Sequence, residues 1–268
     1  MDAKAAGIAA RTTTHVSAMP GLRGAEARHI ARYELDRILT LFRDLNDGEW
    51  EGQTDCEGWT AHDVGAHLLG WAEALLSPPT FVRQLVAAQR LRKDKGNFTD
   101  ASNHIQVVER RSMPHSELLA RMETVLPKVL KLRGNLARFA GYVPYYDGFL
   151  GLTNVRFIMN AIFSRDTFMH RADISRPLGR ELLLGPEDRR LVEDVVRDWA
   201  KRSGARMALE LTGGAGGSYL TSADPVADVT VDAVDFGRIL TGRKPSADPQ
   251  IEGDREAALG WLATFTPF

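Results

Sequence analysis

Residues 165–173 read RDTFMHRAD, a run in which a carboxylate and an imidazole stand four positions apart. On a helix, Asp166 and His170 project from one face about one turn apart, close enough to reach a single ion. Asp173 lies further along the same face, placed to accept the ring N–H of an imidazole and orient it. Upstream, residues 56–71 read CEGWTAHDVGAHLLGW. There Thr60 and Asp63 are spaced as a capping box, and Val64, His67, Leu68 and Trp71 follow at helical spacing on one face. That puts the imidazole of His67 on a stripe that should face a core. Two residues from one inward face plus a histidine from a facing helix is a common way for bundles to build a metal site. His67, Asp166 and His170 would then form a set of two imidazoles and one carboxylate. Zinc with three protein ligands keeps a fourth position open, which is the catalytic arrangement, and iron accepts the same set. Plainer readings stand beside this one. His67 alone reads as a buried histidine bonded to a carbonyl, and Asp166 with His170 as a surface i,i+4 ion pair. His62 reads as solvated in the first turn; His15, His29, His104 and His115 read as incidental.

The elements that must carry these residues are mostly helices. EARHIARYELDRILTLFRDL spaces Ile30, Leu35, Ile38, Leu39, Phe42 and Leu45 as a long amphipathic helix closed by Asn46-Asp47-Gly48. The His67 helix ends at Ser77-Pro78-Pro79. A third helix runs from Phe81 to Arg92. A short one, capped by Thr99 or Asp100, carries Ile105 and Val108. Pro114 and Ser116 open another, rich in leucine and valine, in which Pro127 predicts a kink or break. GYVPYYDGFLG, residues 141–151, reads as an aromatic loop, and LTNVRFIMNAIFSRDTFMHRADI as a long central helix. Helices without a convincing strand make this half a bundle.

After Pro177-Leu178-Gly179 the texture changes. GPEDRRLVEDVVRDWAKRSG is a helix with Pro186 in its first turn. MALELTG and VADVTVDA read as strands separated by a glycine-rich turn. DFGRILTG, PQIEGD and REAALGWLATF read as helix, strand and helix. The expected fold class is therefore α plus α+β: a flexible tail over residues 1–24, a helical bundle over 25–175, and a small α+β domain over 176–268.

Composition narrows the function. The formal net charge of −1 gives no reason to expect nucleic acid or an anionic membrane as partner. One cysteine, Cys56, excludes an internal disulfide and a cysteine-rich zinc module, so a cytoplasmic setting is expected. Cys56 itself reads as a small packed residue or as a thiol activated by the helix start beside Trp59. No apolar run approaches a membrane span, and the N-terminus shows neither the basic start nor the apolar core of a signal peptide. The surface pattern specifies no oligomer.

The run C-E-G-W-T-x-x-D-V-x-A-H-L-x-x-W, followed by R-D-T-F-M-H-R-A-D-I, resembles the mycothiol-dependent maleylpyruvate isomerase family. That resemblance implies a DinB-like metalloprotein bundle whose ligands fall on His67, Asp166 and His170, with a following acidic residue at Asp173. The later half, with V-T-V-D-A, I-L-T-G-R and I-E-G-D-R, is similar to the family's second domain, related to sterol carrier protein. It implies that Arg243 reaches the catalytic and cofactor cleft; as a plain residue, Arg243 reads as a solvated loop charge. The resemblance further implies a divalent metal, zinc by first choice, and mycothiol as thiol cosubstrate. Two features depart from the family. The carboxylate is Asp166 where the isomerase has glutamate, and FTDASNHIQ lacks the arginine that grips its dicarboxylate substrate. The departure argues against maleylpyruvate as the substrate.

Three functions are expected in order. The first is a metal-dependent, mycothiol-using transferase or isomerase acting on a small electrophile. The second is a non-catalytic protein binding an apolar ligand, with the aromatic loop at its mouth. The third is a hydrolase that uses the same metal and no thiol.

Overall fold

The computed structural model describes residues 13–147 and 150–267. In chain order it begins with a two-residue strand, β1 (Thr14–His15). The bundle follows: α1 (Gly24–Arg43), α2 (Asp47–Trp50), α3 (Ala61–Leu76), α4 (Pro78–Leu91), α5 (Phe98–Val108) and α6 (His115–Phe139). A hairpin of β2 (Pro144–Asp147) and β3 (Gly151–Asn154) leads into the short turn α7 (Val155–Phe157). A π-helical segment (Ile158–Ile162) then runs into α8 (Phe163–Ser175). The last part comprises α9 (Pro186–Ser203), β4 (Met207–Thr212), β5 (Gly217–Leu220), β6 (Ala227–Asp232), α10 (Ala233–Leu240), β7 (Gln250–Gly253) and α11 (Arg255–Leu262). The helical bundle followed by a helix-and-sheet part is the expected fold class.

The chain divides into two compact units. One runs from Leu22 to Leu183; the other joins Leu184–Thr266 to the described residues before Leu22. Two expectations change here. The tail expected over residues 1–24 contains β1, which pairs in parallel with β5 through Thr14–Tyr219 and His15–Leu220, while Val16 and Met19 are buried. A two-residue strand has no period to read, and its partner lies at the far end of the chain. The bundle also extends past residue 175, because Arg180 binds Glu49 and the carbonyl of Asp44.

Four helices make the bundle core. Leu35, Ile38, Leu39 and Phe42 of α1, Val64 and Leu68 of α3, Met122, Leu126 and Val129 of α6, and Ile174 of α8 form one buried cluster. The helix runs through Pro127 without the break that was one of the two expectations there. The capping box at Thr60 forms as read: Thr60 Oγ1 accepts from Asp63 N and Asp63 Oδ2 accepts from Thr60 N, both at 3.2 Å. Asn97, rather than Thr99 or Asp100, caps α5. The expected aromatic loop is a hairpin, registered Pro144 to Asn154 and Asp147 to Gly151. Its turn, Gly148 and Phe149, lies outside the described residues. The long central helix is likewise shorter than read, because residues 151–154 pair as a strand before the π segment.

The second unit is a five-stranded mixed sheet in the order β1-β5-β4-β6-β7. Alternating burial along β4 and β6 is the pattern that marks both as strands. The sequence reading missed β5, whose GSYL follows a glycine-rich turn. Trp199 of α9 packs edge-on against Phe236 of α10 and donates its indole N–H to the carbonyl of Trp261 at 2.9 Å.

Candidate metal centre

The capping box sets the phase of α3, and that phase turns His67 inward to 6% exposure. On α8, helical spacing aims Asp166 and His170 at the same point. His67 Nε2 stands 3.6 Å from Asp166 Oδ2, and His170 Nε2 stands 3.4 Å from Asp166 Oδ1. One donor atom from each of the three residues lies within 4.8 Å of the others. The two imidazoles cross at 73°, with ring centres 5.2 Å apart.

Each ring is held from behind. His67 Nδ1 donates to Gln106 Oε1 at 2.8 Å, and His170 Nδ1 faces Asp173 Oδ2 at 3.3 Å. With the proton on Nδ1 of both rings, both Nε2 lone pairs face the shared point, which is the tautomer a metal ligand needs. Asp173 is fully buried and also accepts from the thiol of Cys56 at 3.1 Å. Cys56 Sγ lies 3.7 Å from His170 Nδ1, so Cys56, His170 and Asp173 form a second convergent group. That group shares His170, but it would take the nitrogen that Asp173 already orients. The chemistry of the donors therefore fits an ion between His67, Asp166 and His170, with Asp173 and Gln106 behind the rings.

The close approach of the three groups shifts their titration. Burial would raise the carboxyl of Asp166, yet the two facing imidazoles outweigh it and hold the group far below the usual carboxylate range. Burial would lower His170, yet the Asp166 charge and the hydrogen bonds to Asp166 and Asp173 hold it well above an ordinary histidine. The raised value favours a proton on His170 opposite the Asp166 carboxylate.

Several contributors were not legible in sequence. Gln106 is one buried polar residue among many, and Gly70 is what admits it: a Cβ at Gly70 would stand 2.5 Å from Cβ of Gln106. Trp59 walls the site, its ring 5.4 Å from that of His67 and 6.4 Å from that of His170. Arg133 of α6 is buried and bonds the carbonyl of Met159 and the hydroxyl of Ser164. Burial lowers its pKa to about 9, against the pull of the Asp166 charge. The indole N–H of Trp71, one turn beyond His67, is buried without a partner among the described residues. Its ring stacks on Phe163 at 4.2 Å.

The other histidines separate from the site. His62, expected to be solvated, is buried instead and donates from Nε2 to the carbonyl of Met113 at 2.9 Å. Nearly every residue in the opening turns of α3 is buried, so the helix does not start at a water-facing end. His115 stacks on Trp50 and meets Glu51. Arg243 sits in the turn after α10, in the second unit, where its backbone N–H donates to the carbonyl of Arg238 at 2.8 Å.

The fold and these residues describe a helical bundle with a cluster of two buried histidines and one partly exposed carboxylate, followed in the chain by a sheet-containing unit. The model of the mycothiol maleylpyruvate isomerase N-terminal domain matches residues 31–175, and the chain belongs to that family. Among solved structures, it is similar to the crystal structure of the mycothiol-dependent maleylpyruvate isomerase. The TM-score is 0.58 at 14% identity, covering 90% of this chain and 96% of the other. A histidine-to-alanine mutant of that enzyme matches with a TM-score of 0.54 at 13% identity, over 86% and 92% of the two chains. No curated protein gives a significant sequence match. Among the described residues, no helix is long and apolar enough to cross a membrane.

Proposed function

We propose that this chain is a metal-dependent enzyme that uses mycothiol to transform a small electrophile, as an isomerase or transferase. The observation that carries the reading is the convergence of His67, Asp166 and His170, with Nδ1 of each ring already committed to an acceptor behind it. Family membership supports the thiol, since the related solved structures are of a mycothiol-dependent isomerase.

In this reading His67, Asp166 and His170 hold a divalent cation, zinc by first choice. Such a cation supplies Lewis acidity that lowers the pKa of a coordinated thiol toward neutrality. The chain's own residues do the rest. Asp166 brings one negative charge, and the two imidazoles bring none. Gln106 and Asp173 keep both rings in the ligating tautomer. Trp59 shields the cluster from water on one side, which strengthens every charge interaction within it. Cys56 donates its hydrogen to Asp173 and takes no part as nucleophile. Arg243 is assigned to the cofactor by resemblance alone. The stretch around Ser102 on α5 lacks an arginine, so the substrate is taken to be an electrophile other than maleylpyruvate.

The test is metal content by mass spectrometry on untagged protein, wild type beside His67→Ala, with thiol-dependent turnover measured on His170→Ala. The expected result is about one equivalent in wild type, loss of metal and turnover in the variants, and unchanged helicity. Retention of both would overturn the reading. Ester hydrolysis that ignores added thiol would replace it with a metal-dependent hydrolase.

A further inference from the structure

On residues that the metal centre does not use, the bundle unit holds a half-open cavity of about 480 Å³. Four arginines line it: Arg23 and Arg28 from the start of α1, Arg138 from the end of α6, and Arg156 from α7. None of the four is ion-paired to a carboxylate among the described residues. Arg23, Arg28 and Arg138 are exposed and Arg156 is half-buried, so the cavity has a positive rim that suits a polyanion.

Three further features show that the cavity is built for a ligand. Asn160 lines it from the π segment at only 7% exposure, and no described residue hydrogen-bonds its side-chain amide. Its amide opens onto the cavity, where an entering ligand can bond it. One glycine makes room for an arginine: a Cβ at Gly134, in the last two turns of α6, would press on the Arg28 stem at 3.3 Å. Arg156 is in turn held in place, with its guanidinium over the Tyr142 ring at 4.2 Å. Finally, α1 begins at the cavity with no side chain capping it, so its dipole adds to the positive field.

We propose that this cavity is a second ligand site that takes a phosphorylated molecule. Guanidinium forks match phosphate oxygens two at a time, and several forks around one cavity suit a group carrying more than one charge. The cavity is half open and larger than an inorganic phosphate, which leaves room for an organic body beside the anion. The phosphate is borne either by a soluble metabolite or by a lipid headgroup. Tyr142, whose ring lies against the Arg156 guanidinium, is 83% exposed, which is why both sources are tested.

The experiment is calorimetric titration of the full chain with inorganic pyrophosphate at low salt. Parallel sedimentation uses phosphatidylcholine vesicles with and without phosphatidic acid. The expected result is saturable pyrophosphate binding at one site, weakened about tenfold or more by Arg28→Gln with Arg138→Gln. Asn160→Leu, which leaves every charge in place, also weakens it, and none of these variants loses metal. Binding to phosphatidic acid vesicles alone, lost in the same variants, would assign the phosphate to a lipid. Absence of both, or binding undiminished in the variants, overturns the proposal. So does binding that His170→Ala abolishes, because the anion would then sit at the metal centre.

Discussion

Nδ1 of His67 donates to Oε1 of Gln106 across 2.8 Å, joining α3 to α5 directly behind the candidate ligand. Gly70 permits that approach, since any side chain there would meet Gln106 and Arg110. Removing the acceptor frees the ring to rotate and to change tautomer. Gln106→Leu is expected to lower metal affinity by about 10- to 100-fold with the fold retained, and Gln106→Glu by less. Gly70→Ala should mimic the loss by pushing α5 away. Chelator competition on the three variants checks this; unchanged affinity in Gln106→Leu would remove Gln106 from the site.

Asp173 and Cys56 are predicted to separate sharply. Asp173→Asn presents an amide to His170 Nδ1 and disturbs its tautomer, with an expected loss of about tenfold or more in metal affinity. Cys56→Ser keeps a donor to Asp173, so metal content and thiol-dependent turnover should stay within about threefold of wild type. Turnover that collapses in Cys56→Ser with metal intact would mean that the chain supplies its own nucleophile.

Metal uptake is expected to depend on pH. In the metal-free protein His170 is held well above 6.5, so at neutral pH a proton must leave before Nε2 can ligate. Apparent affinity should therefore fall about tenfold per pH unit as pH drops below that raised value, and level off above it. The sign for stability is the opposite. In the metal-free form, the His170–Asp166 pairing contributes stability that is fully present below the ordinary histidine value. It is lost as pH rises through the raised folded value. Chelator competition and thermal melts across the neutral range measure both trends, and a flat metal profile would contradict them.

Away from the site, Glu34 and Arg171 form a buried ion pair between α1 and α8, at 2.9 and 3.1 Å from Arg171 Nη1. Arg171 Nη2 also holds the carbonyl of Leu183 at 2.9 Å. Glu34→Ala leaves a guanidinium buried without its counter-charge and should cost about 3–5 kcal/mol. Replacing both residues by leucine or methionine should cost much less, because no charge remains to be desolvated. Urea unfolding of the single and double variants gives the comparison.

What the sequence by itself determined was set by short-range spacing. The Thr60–Asp63 capping box, the inward phase of His67, the one-turn separation of Asp166 and His170, and the alternation in β4 and β6 are fixed within a few residues of chain. They follow from helix and strand geometry alone, as does the division into a helical part and a mixed part. Tertiary structure decided what depends on residues far apart. Gln106 became a partner of His67 only because Gly70 lets α5 close on α3. His62 was drawn out of solvent because α3 is enclosed along its first turns, and Arg133 reached Met159 across the bundle. The strand at Thr14–His15 exists only through β5, and four arginines line one cavity with Asn160 because the start of α1, the end of α6 and α7 lie around it. Each of these contacts is selected by packing between distant segments, and no local period in the chain records it.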